Sequence, residues 1–257
     1  QLDIQMKKMN IKNKPTFLNN NKFIKLKNLN LEFAEKINPH AIWLQTMEPT
    51  TYAKKNKKKL YKIKNIKIEC KDTEAFKNSL FRNIKKQLDI CKTKIKKEFL
   101  NTSDGSLNVG LNVILIDSML KEIIKNIHLH FFGETEIKLS IIAVGGYGRG
   151  ELAPHSDLDL LFLKPSKLKK SEATKIDNVI KLTLYLLWDL GYKIGHSTRN
   201  IIDCIKKSSS DITVCTTLLE KRFITGNKEN FELLKNKFNS FVNKTKTLNF
   251  VEAKLEE

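Results

Sequence analysis

Arginine is almost missing from a strongly basic chain. It occurs only at Arg82, Arg149, Arg199 and Arg222, although Lys and Arg total 47 of 257 residues and the formal net charge is +19. A surface built to read phosphates or bases favours the planar guanidinium over the lysine ammonium. The Lys and Asn excess therefore reads as compositional drift, as from AT-rich coding, ahead of a polyanion footprint. Nucleic acid is the less favoured partner, although the charge leaves it open. Cysteine is scarce too. Cys70, Cys91, Cys204 and Cys215 stand far apart with no C-x-x-C pair, which argues against a zinc site or a disulfide scaffold and fits free thiols in a reducing cytoplasm. No run of about 18 apolar residues occurs, so no membrane-spanning helix is expected. The basic N-terminus lacks the apolar stretch of a signal peptide. No internal repeat is present.

What the chain does have is enough apolar material for a core: 40% hydrophobic beside 29% charged residues. Its length exceeds the common domain size of about 100–200 residues, so one large or two smaller domains are expected. It begins at Gln1 and stops at Glu257 within a Lys/Glu-rich helical pattern; both ends read as cuts in a longer protein. Residues 1–70 read as a Lys/Asn-rich leader, solvated and in part disordered, with the charge run Lys54–Lys59 inside it. Residues 71–135 read as a helical segment. In it Phe76, Leu80, Ile84, Leu88 and Ile95 recur at helical spacing after the candidate cap Asp72, and a second helix is expected over about 113–131, closed by Gly133. Residues 136–200 form the distinctive core: a strand over 137–144, a second over 158–163, a helix over about 168–190 stopped by Gly191, and a short strand over 192–198. Residues 201–257 read as helical, with helices over 211–225 and 229–255.

The chemistry concentrates between Ala143 and Leu163. Gly145, Gly146, Gly148 and Gly150 follow a buried strand, which lets backbone turn tightly and approach a ligand. Free amides in such a loop favour anions, Arg149 adds a fixed charge, and a polyphosphate suits both. Asp157 and Asp159 open the next strand. Residues i and i+2 of a strand share a face, roughly 6.5–7 Å apart along the chain, so both carboxylates can hold divalent cations. Magnesium, a hard ion that bridges phosphates, is the natural choice. The glycines match neither G-x-x-x-x-G-K-[ST] nor a dinucleotide-binding G-x-G-x-x-G. A glycine loop or an Asp-x-Asp alone is weak. Strand, Gly-Gly, ten residues, Asp-x-Asp and strand together point to nucleotide chemistry.

That combination resembles the signature of the DNA polymerase β-like nucleotidyltransferase superfamily. The string Gly145–Leu161 (GGYGRGELAPHSDLDLL) further resembles the N-terminal part of the bifunctional uridylyltransferase/uridylyl-removing enzymes, which modify the PII nitrogen-regulatory protein. The likeness continues through Leu187–Arg199 (LWDLGYKIGHSTR) and Asp211–Glu220 (DITVCTTLLE). It is specific over 141–225, looser elsewhere from residue 73, and does not reach the leader. The resemblance implies an α+β fold, a small mixed sheet with helices, flanked by helical segments. It implies magnesium-dependent transfer of UMP from UTP to a tyrosine of PII, with pyrophosphate leaving. Asp157 and Asp159 would be the metal ligands, and Gly145, Gly146 and Ser156 would face the triphosphate. Arg149 and Arg199 are candidate phosphate contacts, and His155 and His196 weaker candidates for supporting roles, while Trp188 reads as core. The superfamily's usual third carboxylate is absent from the strand 192–198; Asp203 and Asp211 are the nearest acids, and Asp211 reads better as a helix cap. No adjacent His-Asp pair is present, so the family's removal chemistry is not expected in this chain. Adenylyl or other nucleotidyl transfer to another protein or RNA, and a nucleotide-binding regulator without catalysis, are the competing expectations.

Overall fold

The computed structural model describes residues 61–244. The leader up to residue 60 and the part of the last expected helix beyond residue 244 lie outside them. Two long helices come first, α1 (Thr73–Thr102) and α2 (Gly105–Phe132). Asp72 caps α1 by accepting from Ala75 N at 2.6 Å, and Asp104 caps α2 by accepting from Leu107 N at 2.9 Å. Each satisfies a first-turn amide that has no partner within its helix. The α2 start lies well ahead of residue 113, because only Ser103 and Asp104 separate the helices and the polar stretch around them caps rather than loops. On α1, Phe76, Leu80, Ile84, Leu88, Cys91 and Ile95 form one buried stripe. Along α2 burial is nearly all-round, as expected of a helix enclosed by other elements. Residues 61–70 run beside this pair: Tyr61, Ile63 and Ile66 are buried, and Ile63 N donates to Ser118 Oγ at 2.9 Å.

The sheet contains β1 (Ser140–Ala143), β2 (Leu158–Leu163), β3 (Ile194–Arg199) and β4 (Arg222–Gly226), in the order β3-β2-β1-β4. β1 pairs antiparallel with β2 and β4, whereas β2 and β3 are parallel. That parallel pair requires a crossover, which α4 (Lys170–Asp189) supplies. Strand alternation divides the core in two. Ile141, Leu158, Leu160 and Phe162 pack with α1, α2 and α4. Ile142, Leu161 and Leu163 pack with α5 (Ile201–Ser210), α6 (Ile212–Leu219) and α7 (Lys228–Lys244). The expected mixed sheet with flanking helices is therefore present.

Two local expectations need correction. The helix expected over 211–225 stops at Leu219, and β4 follows: Arg222-Phe223-Ile224-Thr225-Gly226 completes the sheet against β1. Its apolar residues had continued a helical period by coincidence, but the chain reverses at Glu220 and Gly226 ends the strand at φ 98°. Trp188 is not core; it is 45% exposed, because Leu184 and Leu187 take the buried face of α4 and leave it outward beside Tyr185 and His196.

Candidate active site

Asp157 immediately precedes β2, and Asp159 lies on it opposite Gly195 of β3. Between β1 and β2 the chain makes a single-turn helix, α3 (Gly145–Arg149), whose N-cap Val144 has no side-chain acceptor to offer the first-turn amides. Val144 N donates instead to Asp159 O at 3.1 Å, which ties the glycine turn to the acidic strand. Gly145 adopts φ +59°, and a Cβ there would stand 3.0 Å from Asp159 Oδ2. A Cβ on Gly195 would overlap Asp159 Oδ1 outright. The Asp159 carboxylate thus fills the space left by two missing side chains, one on each side of it. Sequence reasoning had assigned Gly145 to the ligand and had not used Gly195.

Burial, and next the neighbouring charge of Asp157, push the Asp159 carboxyl above the usual carboxylate range. Two acids that repel at a half-buried strand end form a donor set suited to a hard cation, whose charge removes both penalties. Among the described residues no group of three or more His, Cys, Asp and Glu gathers in a metal-ligating cluster. Asp203 sits in the first turn of α5, and Asp211 caps α6 by accepting from Thr213 N at 2.9 Å and Val214 N at 3.2 Å. Neither supplies a third carboxylate beside the pair.

The remaining candidates fall in different places. Gly146 follows Gly145 in the turn, and Ser156 directly precedes Asp157 in a turn where Ser156 N donates to Ala153 O at 3.1 Å and His155 takes φ +69°. Arg149 is committed to carboxylates: Nε to Glu151 at 2.9 Å and Nη1 to the buried Glu220 at 2.8 Å. Burial disfavours its charge, but these two acids outweigh that and hold the guanidinium protonated. Arg199 shares the strand face of Gly195 but pairs with Leu163, four residues further along. At about 3.3 Å per residue that is roughly 13 Å from the acidic end. The structure does not bring Arg199 together with the pair.

A second polar network was missed by sequence reasoning. Asp117 of α2 accepts from Tyr147 Oη at 2.7 Å and from both terminal nitrogens of Arg222 at 2.7 and 3.1 Å. Arg222 also donates to Tyr147 O at 3.2 Å and lies over its ring. Tyr147 is fully buried, and burial followed by Asp117 drives its phenol far above the ordinary value. α3 is thereby bolted to α2 and to β4. The available signal was Asp117 itself, a lone acid inside the apolar run Ile114–Leu120.

Comparison with known proteins agrees with this geometry. Residues 120–219 match the family model described as Nucleotidyltransferase domain. The chain is 35% identical over 191 residues to the bifunctional uridylyltransferase/uridylyl-removing enzyme of Azospirillum brasilense, covering 72% of this chain and 20% of that protein. It is 48% identical over 120 residues to the enzyme of the same name from Caulobacter vibrioides strain NA1000 / CB15N, covering 47% and 12% respectively. The chain thus spans a fifth or less of the length of these curated relatives. Among the described residues no helix is long and apolar enough to cross a membrane, and all four cysteines are free thiols. With the glycine turn, the paired acids and the mixed sheet in place, the chain contains a nucleotidyltransferase domain and is similar in this region to the bifunctional uridylyltransferase/uridylyl-removing enzymes.

Proposed function

We propose that this domain transfers UMP from UTP to a tyrosine hydroxyl of a PII-type regulatory protein, releasing pyrophosphate. The observation that carries the reading is the Asp159 carboxylate lodged between Gly145 and Gly195 with Asp157 beside it. Asp157 and Asp159 would hold magnesium, which when bound supplies charge neutralisation at the phosphates. The chain's own part is placement. Gly145 and Gly146 present unhindered backbone amides to the triphosphate, and Ser156 borders the same end of β2. Arg149, held by Glu151 and Glu220, acts by fixing the turn rather than by touching phosphate. In the reaction the acceptor oxygen forms a bond to the α-phosphorus, the α–β bridging bond breaks, and the hydroxyl proton is lost. Orientation and electrostatics are the main sources of rate in such transfers.

The UTP and PII assignments rest on similarity to the relatives named above. The test is incubation of the protein with each labelled nucleoside triphosphate and magnesium, offering PII or tRNA. Label passing from UTP to PII, and lost in Asp157→Asn and Asp159→Asn, supports the proposal. Label on tRNA, or preference for ATP, would replace the acceptor or the nucleotide. Nucleotide binding with no transfer to any acceptor would make the domain a regulator.

A further inference from the structure

Behind the acidic strand lies a cavity of about 580 Å³ that shares only Ser156 with the residues of the transfer reading. One wall is the turn leading into β2, including Pro154 and His155; the others come from α1, α2 and the Tyr192-Lys193 approach to β3. Leu158 faces it, and Leu158 points to the opposite side of the sheet from Asp159. The body of the cavity therefore lies on the face of β2 opposite Asp159, with its rim reaching Ser156 beside Asp157.

Its chemistry is one-sided. Lys92, Lys96 and Lys193 border it with His155, and no Asp or Glu is among its lining residues. Asp89, which acts on Tyr192 from outside the lining, is held by Lys85 at 3.1 Å. The floor is apolar, with Leu115, Ile116 and Leu158 almost completely buried. Tyr192 contributes a buried hydroxyl with no hydrogen-bond partner, which costs free energy until an acceptor arrives. Lys92 lies 4.7 Å from the Tyr192 ring centroid, and burial, then repulsion from Lys85, disfavours its charge. Residues 61–70 do not fill the space, being held along Ser118 and Glu122. The run Lys54–Lys59 has the same sign as the rim and is a poor occupant.

We propose that this cavity binds a small organic anion: an apolar body seated on Leu115, Ile116 and Leu158, with an acidic headgroup held by Lys92, Lys193 and the Tyr192 hydroxyl. Cavities of this size and mixed lining are typical of small-molecule sites. The site is independent of which nucleotide or acceptor the catalytic face uses.

The test is titration of the full chain with 8-anilinonaphthalene-1-sulfonate, an aromatic anion that fluoresces on entering an apolar site. The double variant Lys92→Glu/Lys193→Glu, at two exposed positions, should weaken binding at least tenfold. Tyr192→Phe should weaken it a few-fold, and Lys228→Glu, a charge reversal outside the cavity, should leave it unchanged. Displacement by benzoate or by phenyl phosphate would support the site and name the preferred headgroup. Equal affinity in the double variant and Lys228→Glu would overturn the proposal, as would displacement of the dye by magnesium–UTP or failure of both small anions to compete.

Discussion

Asp159 and Gly195 face each other across the parallel β2–β3 register, and the carboxylate occupies the volume that any side chain at position 195 would need. Gly195→Ala should therefore displace the Asp159 carboxylate while leaving the exposed edge strand folded. On the proposed mechanism it reduces metal-dependent transfer at least 100-fold, comparable to removing a principal electrostatic group. Initial rates alongside circular dichroism check this; an active Gly195→Ala protein would show that Asp159 is not the metal ligand.

Without metal the two acids are a burden. The Asp159 carboxyl is raised by burial and by Asp157, so the folded state binds its proton more readily than the unfolded chain does. Ionising it therefore costs stability at every pH above the ordinary carboxylate range, and that cost disappears as pH falls through the raised value. Asp159→Asn should melt higher than the parent at neutral pH in EDTA, and the gain should shrink as pH falls toward the ordinary carboxylate range. Saturating magnesium should reverse the order, by stabilising the parent alone.

The Asp117–Arg222–Tyr147 network should show unequal parts. Asp117→Ala strands a buried guanidinium and should cost about 3–5 kcal/mol. Tyr147→Phe removes one hydroxyl while Asp117 keeps both contacts to Arg222, so it should cost about 1–2 kcal/mol. Urea unfolding midpoints separate the two; equal losses would mean that the tyrosine, not the ion pair, secures α3.

Lys221 supplies a second pH signature. Its ammonium donates to Leu218 O at 3.1 Å and sits 4.3 Å from the Phe238 ring centroid. Burial, with Lys235 next, lowers its pKa from 10.5 to about 7. The folded state thus binds fewer protons than the unfolded state between those values, so its contribution to stability rises with pH across that window. Lys221→Met should raise the melting temperature by several degrees near pH 7, and the advantage should shrink toward pH 10. A constant difference over that range would show that the ammonium is solvated.

The elements with strong punctuation were legible in the sequence. Asp72 and Gly133 marked real helix ends, and the run 158–163 is β2 without adjustment. β4 was not, because five residues carry too little periodicity to betray a strand whose reason to exist is an edge of β1. The acidic pair could be placed because strand spacing fixes side-chain direction locally. The roles of Gly195, Glu220 and Arg222 depend on residues dozens of positions away, which spacing cannot express. Arg199 illustrates the limit: sharing a strand with Gly195 did not reveal that it pairs with Leu163, four residues along from the partner of Asp159.

The match to the family model ends at residue 219, one position before Glu220, the buried partner of Arg149, and three before Arg222, the partner of Asp117. A protein trimmed at that boundary would retain the glycines of its Gly145–Gly150 turn and both acids, yet forfeit a strand neighbour of β1 and two of the clamps on that turn. The working boundary of this module is therefore drawn by its fasteners, and lies beyond Gly226.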